Sequence, residues 1–232
     1  MLFRSQMMEQ IEQLIDSKSV YQQEARLMAL DSLKAYLEFH RTNEYSDSFC
    51  EQLEAFVGKY FDERHASYGG VIEVKKSDLK FNTEEIESFF RSRHSVRDFS
   101  KTPVDTDSLN NALHLAQTAP SACNRQGVRA YVISHEKSLD MAKQLVGIGG
   151  FAESVDRFIL ITGKTSAYRF YEINQFIVSA SIYIGYLSLT LHLYGIGACI
   201  VQRPVVWTKM WEKMKKSYCI PEDEQEIGRA HV

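Results

Sequence analysis

Three short stretches of this chain combine residue types that could do chemistry. The first is Arg93-His94-Ser95-Val96-Arg97. Two guanidinium forks, a hydroxyl and an imidazole lie close together there, a donor-rich set that suits a phosphate group. Taken alone, the same run also reads as a solvated basic turn. The second is Ala119-Pro120-Ser121-Ala122-Cys123-Asn124-Arg125-Gln126. The amides of Asn124 and Gln126 each carry donor and acceptor, able to match the edge of a heteroaromatic ring. Ser121 and Ala122 are small enough for the backbone to approach a flat ligand. The plainer alternative is a polar loop built around an Asx-turn. The third is Gly195-Ile196-Gly197-Ala198-Cys199, which follows a long apolar run, so its glycines read first as a helix C-cap. A lone Gly-x-Gly is weak evidence for a nucleotide.

The elements that must position these stretches follow from periodicity and punctuation. The first third is helical in pattern: Met7, Met8, Ile11, Leu14 and Ile15, then Leu27, Leu30, Leu33 and Leu37, then Phe49, Leu53, Phe56, Val57 and Phe61. Ser67-Tyr68-Gly69-Gly70 and the charged Lys75-Lys76-Ser77-Asp78 interrupt it, placing a module boundary near residue 80. Asn82 followed by Glu85 resembles a capping box and starts a short helix through Phe89-Phe90. Val96 to Phe99 is a short strand candidate, and Asp105 or Asp107 caps a helix that ends before Pro120. Val128 to Ser134 alternates as a strand, and a helix is expected around Leu139 to Val146. Phe158 to Thr162 is continuously apolar, the mark of a central strand. A long helix from about Tyr171 to Tyr194 and a strand at Ala198 to Val201 complete an α+β or α/β layered module.

Together, in this order and on these elements, the three stretches resemble the flavin-binding nitroreductase family. The family opens with an Arg-Arg-Ser or Arg-His-Ser triplet at a helix–strand junction and continues with a Pro-Ser-x-x-Asn-x-Gln loop. A long apolar helix ending in Gly-x-Gly-Ala-Cys comes later. The resemblance covers residues from about 84 to 226 and does not extend to residues 6 to 80. It implies an α+β fold with a mixed sheet flanked by helices and a long central helix in a homodimer interface, preceded here by a helical extension over residues 1–80. It implies FMN as cofactor. Arg93, Ser95 and Arg97 would hold the phosphate and ribityl region, with His94 beside them. Pro120, Ser121 and Asn124 would line the flavin from the facing subunit, with Gln126 supporting the loop. NADH or NADPH would deliver hydride, and an electron-poor acceptor, a nitro compound or quinone, would use the same space in ping-pong turnover. No catalytic acid or base is nominated, since the flavin carries the chemistry. A flavin enzyme of the same scaffold with another reaction, dehalogenation or dehydrogenation, remains open. So does a non-enzymatic flavin-binding or partner-binding subunit. The segment Gly163 to Phe170 would be the lid, with Tyr168 and Phe170 as substrate contacts. The chain departs from the family where Gly127-Val128 stands in place of the frequent Pro-Trp, and where Ser179 stands near a frequent acid.

Bulk properties fit a soluble globular chain. Of 232 residues, 44% are hydrophobic and 25% charged, and the formal net charge is −3. That leaves no electrostatic footprint for nucleic acid or an anionic membrane. Cys50, Cys123, Cys199 and Cys219 form no C-x-x-C pair, which argues against a zinc site and fits a reducing cytoplasm. The apolar Phe176 to Val201 run is broken by serines, His192 and glycines, so burial or a subunit interface explains it better than a membrane span. Residues 1–5 and 227–232 resemble translated sequencing adapters. On that reading the domain of residues 81–232 is truncated, and its last strand and a later basic phosphate ligand are expected to be missing.

Overall fold

The computed structural model describes residues 8–13, 20–44, 48–60, 75, 80–138, 154–201 and 208–232. Two compact units divide the chain, Met1–Lys80 and Phe81–Val232.

In the first unit residues 8–13 are helical, followed by α1 (Val20–Thr42) and α2 (Ser48–Tyr60). Leu30, Leu33 and Leu37 recur on one face of α1, and Leu53, Phe56 and Val57 on one face of α2. These six bury against each other together with Ile11. The 67–70 interruption lies outside the described residues.

The second unit is built on a sheet of order β1-β2-β4-β3, with β1 at Val128–Ile133, β2 at Phe158–Lys164, β3 at Cys199–Val201 and β4 at Glu224–His231. Its ladders are antiparallel, and a parallel bridge between Ser95 and Ala198 adds the mixed element. Strand β2 is buried along both faces because its alternate side chains enter two cores. Ile159 and Ile161 pack with the helices α4 (Thr106–Ala116) and α5 (Gln175–Leu193). Phe158 and Leu160 face the opposite way, against Val155, Ile220 and Met214 of α6 (Thr208–Tyr218). The apolar run at 158–162 is therefore central, as its composition requires.

Helix α3 (Thr83–Ser92) starts at Asn82, whose side chain accepts from the Glu84 amide at 3.0 Å. Glu85 accepts from the Asn82 side-chain amide (3.2 Å), so the box is closed between side chains. Asp105 caps α4 by accepting from the Ser108 amide at 2.8 Å. The end of α5 matches the glycine reading: Gly195 sits at φ +71, where a side chain is strained.

Helix α5 is long and apolar enough to cross a membrane, yet Ala180, Tyr183, Ile184, Leu187 and Leu191 pack one face of it onto the sheet. Its opposite face leaves Val178 (48%), Ile182 (38%) and Tyr186 (40%) exposed.

Two expectations need correction. Val96 to Phe99 is not a strand: only the Ser95–Ala198 bridge forms, and the chain bends at Asp98. The long helix begins at Gln175 rather than Tyr171, because Asn174 adopts a left-handed conformation (φ 64) and Glu172 is tied to Arg125. Residues 224–231 form β4, paired on both sides, since ladder hydrogen bonds use the backbone and ask nothing of the side chains. The helix expected at Leu139 to Val146 lies outside the described residues.

Candidate functional site

The Arg93–Arg97 corner is held by the turn that follows α5. Val96 N–H donates to the Ala198 carbonyl at 3.0 Å. Gly197 makes that approach possible, since a Cβ there would meet both Val96 methyls at 3.2 Å. Arg93 is half-buried at the C-cap of α3, while His94, Ser95 and Arg97 are exposed. Among the described residues neither Arg93 nor Arg97 is paired with a carboxylate, so both guanidinium groups stay open to an anion.

The second stretch forms a tight polar loop. Ala122–Asn124 is a single 3-10 turn, and Cys123, Asn124 and Gln126 all have positive φ, near 50°. Such residues carry backbone strain that surrounding bonds must over-determine. Those bonds are present: Gln126 N–H donates to Ser121 Oγ (2.9 Å), and its side-chain amide donates to the Asn124 side chain (2.7 Å) and to Ala119 O (3.2 Å). Ser121 and Gln126 therefore hold the loop, while Pro120 is exposed at its start. Asn124 and Gln126 also line a cleft of about 730 Å³, together with Gln117, Arg129 and Tyr183. That volume is typical of small-ligand sites. Burial pushes the Tyr183 hydroxyl up to about 12, which keeps it neutral at physiological pH.

A second belt fixes the loop from outside. Arg125 Nη1 donates to both carboxylate oxygens of Glu172 (2.9 and 2.8 Å) and lies over the Tyr168 ring at 5.3 Å. Glu172 also accepts from the Arg169 amide at 2.7 Å. The bond from Arg125, then that from Arg169, holds its carboxyl below the usual range. Phe170, by contrast, is 96% exposed. Sequence reasoning assigned no role to Arg125, Glu172, Arg129 or Tyr183. The Arg125–Glu172 pair spans 47 positions and leaves no local signal. A tyrosine on the sheet face of an apolar helix was the one available hint.

The two stretches do not meet within one chain. The loop feeds β1 at one edge of the sheet, while the Arg93 corner bridges to the residue preceding β3 at the other. They also lie at opposite ends. Val128 pairs with Gly163 at the close of β2, and Cys199 pairs with His231, which faces Phe158 at its beginning. Three strand spacings and five residues of rise put these corners about 22 Å apart on the diagonal.

Residues 90–171 match the model of the nitroreductase family. This segment is of the nitroreductase family. A Streptococcus pyogenes protein named "Putative NAD(P)H nitroreductase Spy0809" is 38% identical over 55 residues, 24% of this chain and 27% of that one, so the match spans about a quarter of the relative. Solved nitroreductase-family structures share the fold. A Desulfovibrio desulfuricans protein solved in complex with FMN superimposes with a TM-score of 0.54 at 17% identity, covering 66% of this chain and 86% of that one. An FMN-dependent nitroreductase of Clostridium difficile R20291 gives 0.52 at 22% identity, over 62% of this chain and 83% of that one.

Proposed function

We propose that this nitroreductase-family chain is a subunit of an FMN-dependent oxidoreductase. It takes hydride from NADH or NADPH and reduces an electron-poor small molecule, a nitro compound or quinone, in ping-pong turnover. The observation that carries the reading is the diagonal separation of the two stretches. A phosphate-type corner and an amide-rich loop too far apart to grip one ligand serve a common site only when a second copy supplies the other half. The apolar face of α5 left open by Val178, Ile182 and Tyr186 is what an isologous contact between two copies uses.

FMN fits the residues present: open guanidinium groups at one corner, and a rigid amide loop beside a cleft at the other. When bound, FMN supplies two-electron transfer between nicotinamide and acceptor. Arg93 and Arg97 would neutralise its phosphate, with His94 and Ser95 adding donors. Pro120, Ser121 and Asn124 of a second copy would line the ring, and Gln126 would keep that loop in its strained form. The chain thereby orients the reactants and excludes water, and none of its residues need act as acid or base. The site is a cytoplasmic one, with neither nucleic acid nor membrane as partner.

The test is the visible absorption spectrum of the purified protein after addition of FMN, before and after anaerobic NADPH. A bound-flavin spectrum that bleaches supports the reading. A flavin that stays oxidised with both NADH and NADPH assigns a carrier role instead. Absence of binding overturns the site.

A further inference from the structure

We propose that His192 is a positioning residue for the Arg93–Arg97 corner, acting through Ser92. This rests on the phosphate-binding reading of that corner. Ser92, the last residue of α3, is hydrogen-bonded to His192 Nε2 at 2.8 Å, across a sequence gap of 100 residues. The same hydroxyl donates to the Phe89 carbonyl at 2.9 Å. A serine hydroxyl has one proton, so when it serves Phe89 the bond to His192 requires Nε2 to carry the hydrogen and donate. The imidazole also lies against the Phe89 ring, with centroids 5.1 Å apart. On the far side of the corner, the Val96 amide is bonded to Ala198. Three of the four donor residues, Arg93, His94 and Ser95, are therefore strapped between two anchors. Both anchors belong to one short stretch, 192–198, at the end of α5. Arg93 follows Ser92 directly, so a loose Ser92 lets the guanidinium wander from the position it must hold for an anion.

The experiment compares the parent chain with Ser92→Ala, His192→Leu and His192→Gln. Two measurements are made on each: the dissociation constant of FMN from quenching of flavin fluorescence, and hydrogen exchange over residues 93–97 in the ligand-free protein. Ser92→Ala and His192→Leu are expected to weaken FMN binding roughly three- to tenfold, the effect of one ordinary hydrogen bond. Both should speed exchange of the Val96 amide while leaving the β2 amides unchanged. His192→Gln, whose amide can still donate to Ser92, should restore both. Equal Kd and exchange in all four proteins overturn the proposal, as does a Gln variant no better than Leu. If His192→Leu lowers β2 protection as well, Ser92→Ala at its exposed position decides the matter. Faster exchange in Ser92→Ala and His192→Leu, with a parent that binds no FMN, upholds the strap and defeats the flavin reading. Tight FMN and unchanged exchange in every variant do the reverse.

Discussion

Arg125 grips Glu172 through a single nitrogen, Nη1, which reaches both carboxylate oxygens. This links the strained loop to the segment that leads into α5. The bond from Arg125 keeps the Glu172 carboxyl below its ordinary range, so the stabilisation it gives is complete above about pH 4.5 and fades as pH falls through the lowered value. Arg125→Met is therefore expected to lower the melting temperature at pH 7 and to differ less from the parent at pH 3. Thermal melts at both pH values check this. An equal difference at both would show that the pair contributes through packing alone.

His231 should make stability fall in acid. It is fully buried against the Phe158 ring, and burial, then the nearby Arg229 charge, hold its imidazole down to about 3 from an ordinary 6.5. Above pH 6.5 the ring is neutral in both folded and unfolded chains and has no effect. Below it the unfolded chain takes up a proton that the folded chain refuses. Stability should then drop by about 1.4 kcal/mol per pH unit down towards pH 3. Urea midpoints of the parent and His231→Leu at pH 7.5, 6 and 5 test this, the leucine variant lacking that part of the slope.

A charge on the open face of α5 should separate two copies and empty the flavin site. Ile182→Asp leaves the Leu187 side of the helix untouched, so the chain should remain folded. Sedimentation velocity is expected to show a monomer, and FMN titration at least a tenfold loss of affinity. A monomeric variant that still binds FMN tightly would mean that one chain holds the whole site.

Gly163, next to last in β2, lies beneath the start of α5. A Cβ there would stand 3.0 Å from both the Phe176 carbonyl oxygen and its ring. Backbone cannot yield as a flexible side chain does, so Gly163→Ala should cost about 1–3 kcal/mol in urea unfolding.

Much of the layering was legible in the sequence, because local patterns have local causes. Phe158 to Thr162 could be read as a central strand since a strand covered on both faces needs apolar residues at every position. The cap expected at Asp105 or Asp107 falls on Asp105, and the glycine cap on Gly195, because capping depends on one side chain or one backbone angle. The strand expected at Val96 failed for the opposite reason: a ladder needs a neighbour, and the turn at 195–198 offers one bridge only.

What the sequence determined by itself is the set of donors: guanidinium groups at residues 93 and 97, amides at 124 and 126, each near an element end that its own neighbours dictate. What only the tertiary structure decided is their distance. The order β1-β2-β4-β3 sends the loop and the basic corner to opposite corners of one sheet, and it brings Ser92 to His192 and Arg125 to Glu172. Strand order and helix packing are set by the joint burial of residues far apart in sequence, and no short window of the chain contains that sum.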